Sequence, residues 1–316
     1  VYFWGQAGSA VGEQVSSSTP RMLKKAMGRQ VRDVACGLVH SAMVMGSGEV
    51  LCWGENKYGQ CGTGTQEQTE HPTFVGSLFG VACMSVSCGG AHTVVVSEDG
   101  RVFSWGLGAN GQLGHGSRDN LTTPSVVQAM RGRDVLAVTC GVGHTVIVLA
   151  GGELYTCGWN KNGQCGVGST SDLLSPQCVE SLRGEGVQHA SCGAGHTAVV
   201  TGGGEVFTFG SGSCGQLGHG DCQDLSMPRR VGALVGIVMS MVACGEEYTV
   251  CAAFDHRVFG FGLNNVGQLG ASSTSHPYLS EPRQMEFLKE EEVELCKCNQ
   301  SEVIALTRRG ALRAWG

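Results

Sequence analysis

The sequence has no long apolar run and few charged side chains, and both shortages limit what the protein can be. No stretch approaches the ~20 consecutive apolar residues that a helix needs to cross a bilayer. Charged residues make up only 15% of the chain, and the formal net charge is -6. We therefore expect no membrane insertion and no binding of nucleic acid over the whole surface, although a local basic patch stays open.

Motifs of common catalytic sites are also missing. There is no Gly-Lys-Ser/Thr phosphate loop, no Gly-x-Ser-x-Gly nucleophile turn and no His-Glu-x-x-His zinc motif. Residues 106–111 and 210–215 match Gly-x-Gly-x-x-Gly, but that fingerprint binds dinucleotides only where the glycines lead into a helix. No helix pattern follows either stretch, so we expect these glycines to supply positive φ angles. The sequence predicts a protein that is not an enzyme and has no cofactor, metal or small-molecule substrate.

What the sequence does have is a strict internal repeat. Cys-Gly recurs every 52 residues at Cys36, Cys88, Cys140, Cys192 and Cys244. Gly-Gln-x-Gly keeps the same step at Gly59, Gly111, Gly163, Gly215 and Gly267. A period of this size is typical of propellers and other repeat arrays. We expect residues 1–316 to form a single domain that is part of a longer protein.

Each repeat can be divided into four short strands. In one copy, strand a is predicted over 136–140, strand b over 144–149 and strand c over 153–158. A loop with Gly-Gln-x-Gly follows, and then a strand d that starts at a proline. Proline cannot donate to a sheet ladder, so its recurrence favours d as the outer edge of a propeller blade.

The number of strands predicts the number of blades. The Trp-Gly type of c strand occurs seven times, with Trp4, Trp53, Trp105, Cys157, Phe209, Phe261 and Trp315 at its aromatic position. Strands a, b and d each occur six times. We therefore predict an all-β, seven-bladed β-propeller, with one blade incomplete in this chain or completed by residues outside it.

The repeat resembles that of the regulator of chromosome condensation (RCC1) family over the whole chain. The resemblance rests on Cys-Gly-x-x-His, then Asp-Gly or Gly-Glu, then Trp-Gly, then Asn-x-x-Gly-Gln-Leu-Gly. Members of the family form seven-bladed propellers. The last repeat departs most, because 298–302 reads Cys-Asn-Gln-Ser-Glu and lacks both the glycine and the histidine.

The resemblance implies three functions. Many relatives are non-catalytic modules that present loop faces to protein partners, and we expect this function here. The alternative is guanine-nucleotide exchange on a Ran-like small GTPase, for which the founding member uses an inserted hairpin. The unbroken 52-residue spacing from Cys36 to Cys244 leaves no room for such an insertion. The plant ultraviolet photoreceptors cluster tryptophans on one face, whereas four of the five tryptophans here are in the Trp-Gly column.

The cysteines and histidines suggest structural roles. Cys61 and Cys165 occupy the position that Leu113 has in a sister repeat, which is typical of small buried hydrophobes. We therefore predict a reduced, intracellular protein, cytoplasmic or nuclear, and not a disulfide scaffold. Zinc at the Cys-Gly-x-x-His columns is opposed by the ~10 Å spacing of stacked sheets, against metal–ligand distances of roughly 2 Å. Tyr248 also replaces the histidine, so we expect hydrogen-bonding struts.

Charge differs between the two loop faces of the predicted blades. The a–b and c–d loops share one face, and the b–c turns and d–a links share the other. The acidic residues of the c–d loops are Glu13, Glu55, Glu67, Glu70, Asp119, Asp172, Asp221 and Asp224. The basic residues of the d–a links include Lys24, Lys25, Arg29, Arg131, Arg133, Arg229 and Arg230. These seven are either ordinary solvated surface or a docking face for a protein partner, and we name them as candidate partner-binding residues.

Overall fold

The computed structural model describes residues 2–5, 17–23, 27–270 and 277–316. The chain divides into two compact units. The first contains Val1–Leu149, Cys157–Trp159 and Asp172–Pro176. The second contains Ala150–Thr156, Asn160–Ser171 and Gln177–Gly316. The expectation of a single domain over residues 1–316 stays a prediction.

The described residues form short antiparallel strands in the predicted a-b-c-d order. Strands β1 (Tyr2–Gly5) and β2 (Ser17–Met22) form a two-stranded sheet. The four-stranded sheets are β3 (Val31–Cys36), β4 (His40–Met45), β5 (Val50–Gly54) and β6 (Thr69–Phe74); β7 (Cys83–Cys88), β8 (His92–Ser97), β9 (Val102–Gly106) and β10 (Leu121–Val126); β11 (Val135–Cys140), β12 (His144–Leu149), β13 (Leu154–Gly158) and β14 (Leu173–Cys178); β15 (Val187–Cys192), β16 (His196–Thr201), β17 (Val206–Gly210) and β18 (Leu225–Arg230); and β19 (Met239–Cys244), β20 (Tyr248–Ala253), β21 (Val258–Leu263) and β22 (Tyr278–Gln284). Strands β23 (Val293–Cys298), β24 (Val303–Thr307) and β25 (Leu312–Trp315) form a three-stranded sheet. A single 3-10 turn follows each complete d strand, at Gly76–Leu78, Gln128–Met130, Glu180–Leu182, Gly232–Leu234 and Glu286–Leu288.

The all-β class is confirmed, but the seven-bladed propeller is wrong. The described residues contain six blades, of which five have four strands and one has three. Counting c strands gave seven because β1 is a c strand paired only with β2, a d strand. A two-stranded ribbon has too little apolar surface to make a blade by itself.

The recurrent prolines lie inside the d strands and not at their start. Pro124 is the fourth residue of β10, three residues after Leu121. The pairing of β10 with β9 changes register between Leu121 and Ser125, so Pro124 lies in the irregular part of the ladder. Since proline has no N–H to donate, an edge strand with a break in register accommodates it without the loss of a ladder hydrogen bond.

The core of the first unit lies between the sheets that begin with β3 and β7. Trp105 and Val95 are fully buried there, together with Val44 and Val50. Cys61 is also buried in this cluster, as its exchange with leucine predicts. Fully burying an aliphatic side chain contributes roughly 1.5–3 kcal/mol, so such clusters supply most of the stability of stacked blades.

In the second unit, the core between β19–β22 and β23–β25 shows what a d strand contributes. Val258 of β21, a c strand covered by β22, is only 1% exposed. Leu312 is the matching residue of β25, and it is 59% exposed. Leu312 is apolar like the other residues of this column, yet it is exposed, since no d strand pairs with β25 among the described residues.

Candidate partner-binding surface

The b–c turns and d–a links lie together, as expected from the order of the strands. In the first unit, Gly46 N of the turn at 46–49 donates to Gln30 O of the preceding link at 2.8 Å, and Gly48 O accepts from Cys83 N, where the next link enters β7, at 3.0 Å. In the second unit, Phe254 N of the turn at 254–257 donates to Val238 O at 3.0 Å. Within each unit, we call the b–c turns and d–a links the turn surface, and the a–b and c–d loops the loop surface.

Polar residues that recur in the repeat hold neighbouring sheets together near the loop surface. The carbonyl oxygen of Gln60, in the Gly-Gln-x-Gly tetrad, accepts from Thr93 Oγ1 and from Trp105 Nε1, both at 2.8 Å. Thr93 and Trp105 belong to the next sheet, β7–β10. In the second unit, Gln268 O accepts from Trp315 Nε1 at 3.0 Å. The tetrad and the Trp-Gly motif are therefore two halves of one contact between sheets.

The histidines of the Cys-Gly-x-x-His motif belong to the same network. His40 Nε2 lies 2.8 Å from Thr93 Oγ1, and the hydroxyl of Thr93 donates its only proton to Gln60 O. His40 must therefore donate from Nε2, and Nδ1 carries no proton. Burial lowers the pKa of His40 to about 4 and that of His92 to about 3. These imidazoles are neutral struts between sheets.

The glycine of this motif makes room for the histidine ring. A Cβ atom on Gly89 would lie 2.1 Å from Cε1 of His92. Where Tyr248 replaces the histidine, a Cβ on Gly245 would lie 1.9 Å from the tyrosine ring, and the Tyr248 hydroxyl donates to Glu302 O at 2.7 Å. The ring therefore needs the glycine, which explains why both residues are missing together from 298–302.

The glycines of residues 106–111 allow backbone conformations and close approaches that a side chain would prevent. Gly106 and Gly111 have φ angles of +101° and +87°, as predicted, and the strand runs into turns instead of a helix. Gly108 has a different role, because a Cβ there would lie 2.0 Å from Asp119 O. A side chain at any of these three positions would strain the loop or collide with it.

Acidic and amide side chains of the c–d loops form contacts within a loop and between neighbouring loops. Asp224 accepts from Gly212 N at 2.9 Å and from Asn162 Nδ2 at 2.8 Å. Asp172, which is largely buried, pairs with Arg118 at 3.1 Å. Part of the negative charge expected on the loop surface is therefore used in hydrogen bonds and an ion pair within the protein. Glu13 lies outside the described residues.

The candidate arginines are placed in different settings. Arg131 and Arg133 are brought together in the link at 127–134, and both are exposed. Arg229 and Arg230 end strand β18, not a link, and each faces a carboxylate: Arg229 lies 3.7 Å from Asp221, and Arg230 lies 2.5 Å from Glu205.

The first unit also holds Arg29, whose guanidinium is 6.0 Å from the ring centroid of Phe74. Lys24 and Lys25 lie outside the described residues. The role of all seven residues in partner binding stays a prediction.

The sequence reasoning missed large apolar side chains on the turn surface. Phe79 is 64% exposed and Phe254 is 69% exposed, in a link and a turn respectively. Met27, Val235 and Val238 are exposed in links as well. A signal was present, since the link position of Phe79 has Met27, Arg131, Arg183, Val235 and Lys289 in the other repeats. A core position would not alternate between apolar and basic residues.

No group of three or more histidine, cysteine, aspartate or glutamate side chains is arranged to hold a metal ion within the described ranges. All sixteen cysteines carry free thiols. No helix among the described residues is long and apolar enough to cross a membrane.

Comparison with known proteins gives relatives along the whole chain. The model of the RCC1-like domain matches residues 1–199, and models of the RCC1 repeat match 187–216, 203–252 and 255–306. The Ultraviolet-B receptor UVR8 of Arabidopsis thaliana is 36% identical over 290 residues, with 91% of this chain and 65% of that protein covered. Human E3 ubiquitin-protein ligase HERC2 is 31% identical over 299 residues, with 93% of this chain covered.

The chain spans less than two thirds of the length of these relatives, and only 6% of HERC2. Among solved structures, human WBSCR16 has a TM-score of 0.83 and 26% identity, with 95% of this chain and 79% of that chain covered. Prp20p from Saccharomyces cerevisiae has a TM-score of 0.84 at 17% identity, with 100% and 80% covered, which shows likeness of fold alone. The family-model match over 1–199, together with the repeats that follow it, shows that this chain belongs to the RCC1-like domain family.

Proposed function

We propose that this chain is a non-catalytic interaction module that binds a protein partner through its turn surface. Its blades form the scaffold, and the b–c turns and d–a links present the side chains that contact the partner. The observation that carries this proposal is the distribution of exposed apolar side chains over the two loop surfaces.

Large exposed apolar residues are concentrated on the turn surface. In the second unit, Val235, Val238, Phe254 and Phe287 are exposed in turns and links, whereas Val266 is exposed in a c–d loop. In the first unit, Met27 and Phe79 are exposed in links, whereas Leu38 is exposed in an a–b loop. Exposed apolar side chains of this size are costly in water, and grouped examples are typical of protein-binding sites.

Recurrent polar residues of the repeat take part in structural hydrogen bonds. Thr93, Gln60 and His40 are joined in one chain of hydrogen bonds, and Asn56 donates to two carbonyl oxygens of its own loop. The indole N–H groups of Trp105 and Trp315 are likewise used between sheets. This use of the polar groups supports a scaffold in preference to a catalyst or a chromophore.

We also propose that the module acts inside the cell, in the cytoplasm or the nucleus. Support comes from the sixteen free thiols, several of which are in the apolar cores. Buried unpaired cysteines are compatible with a reducing compartment, where disulfide exchange does not trap misfolded forms.

The test is affinity capture from cell extract with two sets of matched variants. One set removes apolar side chains from the turn surface (Phe79→Ser, Val238→Ser and Phe254→Ser), and the other removes them from the loop surface (Leu38→Ser and Val266→Ser). We expect specific partners to be lost from the first set and kept by the second, with equal thermal stability of both. Retention by the first set and loss from the second would overturn the proposal.

Guanine-nucleotide exchange is tested in parallel. The chain is added in catalytic amounts to a Ran-like GTPase loaded with a fluorescent nucleotide, and release is followed over time. We expect the spontaneous rate of release. Acceleration with turnover would show that the module is a catalyst of exchange.

A further inference from the structure

The first unit has a contiguous aromatic and cationic cluster on its turn surface. The rings of Phe74 and Phe79 lie 6.0 Å apart between centroids, and Arg29 lies 6.0 Å from the Phe74 ring. Phe79 is 64% exposed, and Met27 near Arg29 is 68% exposed. We call Arg29, Phe74 and Phe79 the aromatic cluster.

Two arginines of this surface, Arg29 and Arg131, keep an unneutralised charge within the described part of the chain. Arg29 and Arg131 enter none of the ion pairs formed among the described residues. By contrast, two nearby carboxylates of the turn at 98–101 already have arginine partners. Glu98 pairs with Arg32, and Asp99 pairs with Arg101 at 2.8 Å, which lowers the pKa of Asp99 to about 2.

Backbone contacts connect the cluster to the second basic link. The link that contains Phe79 reaches the turn at 98–101 through Glu98 N, which donates to Ala82 O at 2.8 Å. On the other side of that turn, a Cβ atom on Gly100 would lie 3.4 Å from Arg133 O. Arg29, Phe79 and Arg131 thus belong to three successive links of one surface, with a charge-paired turn between the last two.

One ligand could use both the positive charge of the arginines and the exposed apolar ring of Phe79. A carboxylate would gain a charge-assisted hydrogen bond from Arg29 or Arg131, for which those arginines have no competing partner in the described chain. An apolar side chain next to that carboxylate would cover the exposed ring of Phe79. A basic segment would be repelled by the arginines, and a neutral segment would leave their charge without a partner.

We propose that the aromatic cluster, with Arg131, binds an extended acidic segment of a partner protein that carries an apolar side chain among its carboxylates. The apolar side chain packs on Phe79 and Phe74, and flanking Asp or Glu residues pair with Arg29 and Arg131. This proposal rests on the proposed function and specifies the chemistry of the partner.

The test begins with selection from a display library of random linear peptides on the purified chain. Peptides that the Phe79→Ser variant no longer retains are sequenced. We expect them to be enriched in Asp and Glu around one large apolar residue. Enrichment in Lys and Arg, or no peptides that depend on Phe79, would overturn the proposal.

Synthetic versions of the selected peptides are then titrated by fluorescence anisotropy. Arg29→Glu and Arg131→Glu should each weaken binding by about tenfold or more, and added salt should weaken it in the unchanged chain. The matched controls are Arg183→Glu and Val235→Ser, which occupy the link positions of Arg131 and Phe79 in other repeats. Equal losses in variant and control would contradict the proposal, and melting temperatures show that each variant is folded.

The two proposals can fail separately. If peptides that bind the unchanged chain are retained by Phe79→Ser but lost on Val238→Ser or Phe254→Ser, the turn surface binds proteins and the aromatic cluster is not the site of the acidic segment. If peptides are lost only on Leu38→Ser or Val266→Ser, both proposals are wrong.

Discussion

His40 and Thr93 are 53 residues apart and joined by a 2.8 Å hydrogen bond between neighbouring sheets. The pairs His92–Thr145 and His196–Thr249 repeat this bond at the same separation, at 3.1 and 2.9 Å. Since the repeat is 52 residues long, each histidine reaches the residue that follows the next histidine position. The contribution of each hydrogen bond to stability can therefore be measured with single substitutions.

Removing the threonine hydroxyl should destabilise the first unit. Thr93→Val leaves Nε2 of His40 without its acceptor and removes one donor to Gln60 O, which should cost about 1–3 kcal/mol of unfolding free energy. Urea denaturation measures the change, with Thr123→Val on the exposed side of β10 as the control. Equal effects of the two substitutions would show that the buried network adds no stability.

Stability should fall with acid because the buried histidines resist protonation. The pKa is lowered to about 4 for His40 and His144 and to about 3 for His92, in each case by burial. Below pH 6.5 the unfolded chain binds protons that the folded chain does not. Unfolding free energy should therefore decrease from pH 6.5 towards pH 4, by on the order of 2 kcal/mol per histidine at pH 5.

Denaturant titrations at several pH values measure this dependence. A His92→Gln variant provides the control, since it removes one titrating group and should flatten the curve. A stability that stays constant between pH 7 and pH 5 would contradict the neutral-strut role.

The glycine that faces the histidine ring should not tolerate a methyl group. Gly89→Ala would place Cβ 2.1 Å from His92, and overpacking of this kind costs about 1–3 kcal/mol or more. The matched control is Gly232→Ala, since no atom lies within 4 Å of a Cβ there. Thermal unfolding should separate the two variants clearly, and similar melting temperatures would show that the ring moves aside at little cost.

His256 should be replaceable by glycine with a gain in stability. It has a φ of +66°, at the turn position where sister repeats have Gly48, Gly100, Gly204 and Gly310, all with positive φ. A left-handed conformation costs a non-glycine residue roughly 1–2 kcal/mol. His256→Gly should raise the melting temperature, whereas His256→Val should lower it.

The control for His256 is the same pair of changes at Asp255, whose φ is not positive. A lower melting temperature of His256→Gly would mean that the 3.3 Å contact of the imidazole Nδ1 with Val293 O outweighs the strain.

Much of the fold followed from the repeat, because a fixed spacing requires each unit to have the same strands. Strand b of the reference repeat begins at His144 and ends at Leu149 as predicted. The number of blades did not follow, since β1 has the sequence of a c strand but pairs with no a or b strand among the described residues. The exposure of Leu312 did not follow either, because an apolar sequence column does not show whether a d strand covers it.

The candidate site was only partly visible in the sequence. Basic residues can be counted by link, but whether a carboxylate neutralises each depends on packing. Arg230 pairs with Glu205, for example, whereas Arg131 forms no ion pair with any described residue. The exposure of Phe79 was missed although its link position alternates between apolar and basic residues in the other repeats, a pattern that disfavours a core position. The 6.0 Å approach of its ring to Phe74 depends on packing and is seen only in the structure.

Footprinting of the chain with and without a captured partner tests the central claim most directly. Surface residues are labelled by hydroxyl radicals and quantified by mass spectrometry. The account predicts that the partner protects Phe79 in the first unit or Phe254 in the second, together with the neighbouring links of that unit, while Leu38 and Val266 stay labelled. Protection confined to the a–b and c–d loops would show that the partner binds the opposite surface, and the proposed function of the turn surface would be wrong.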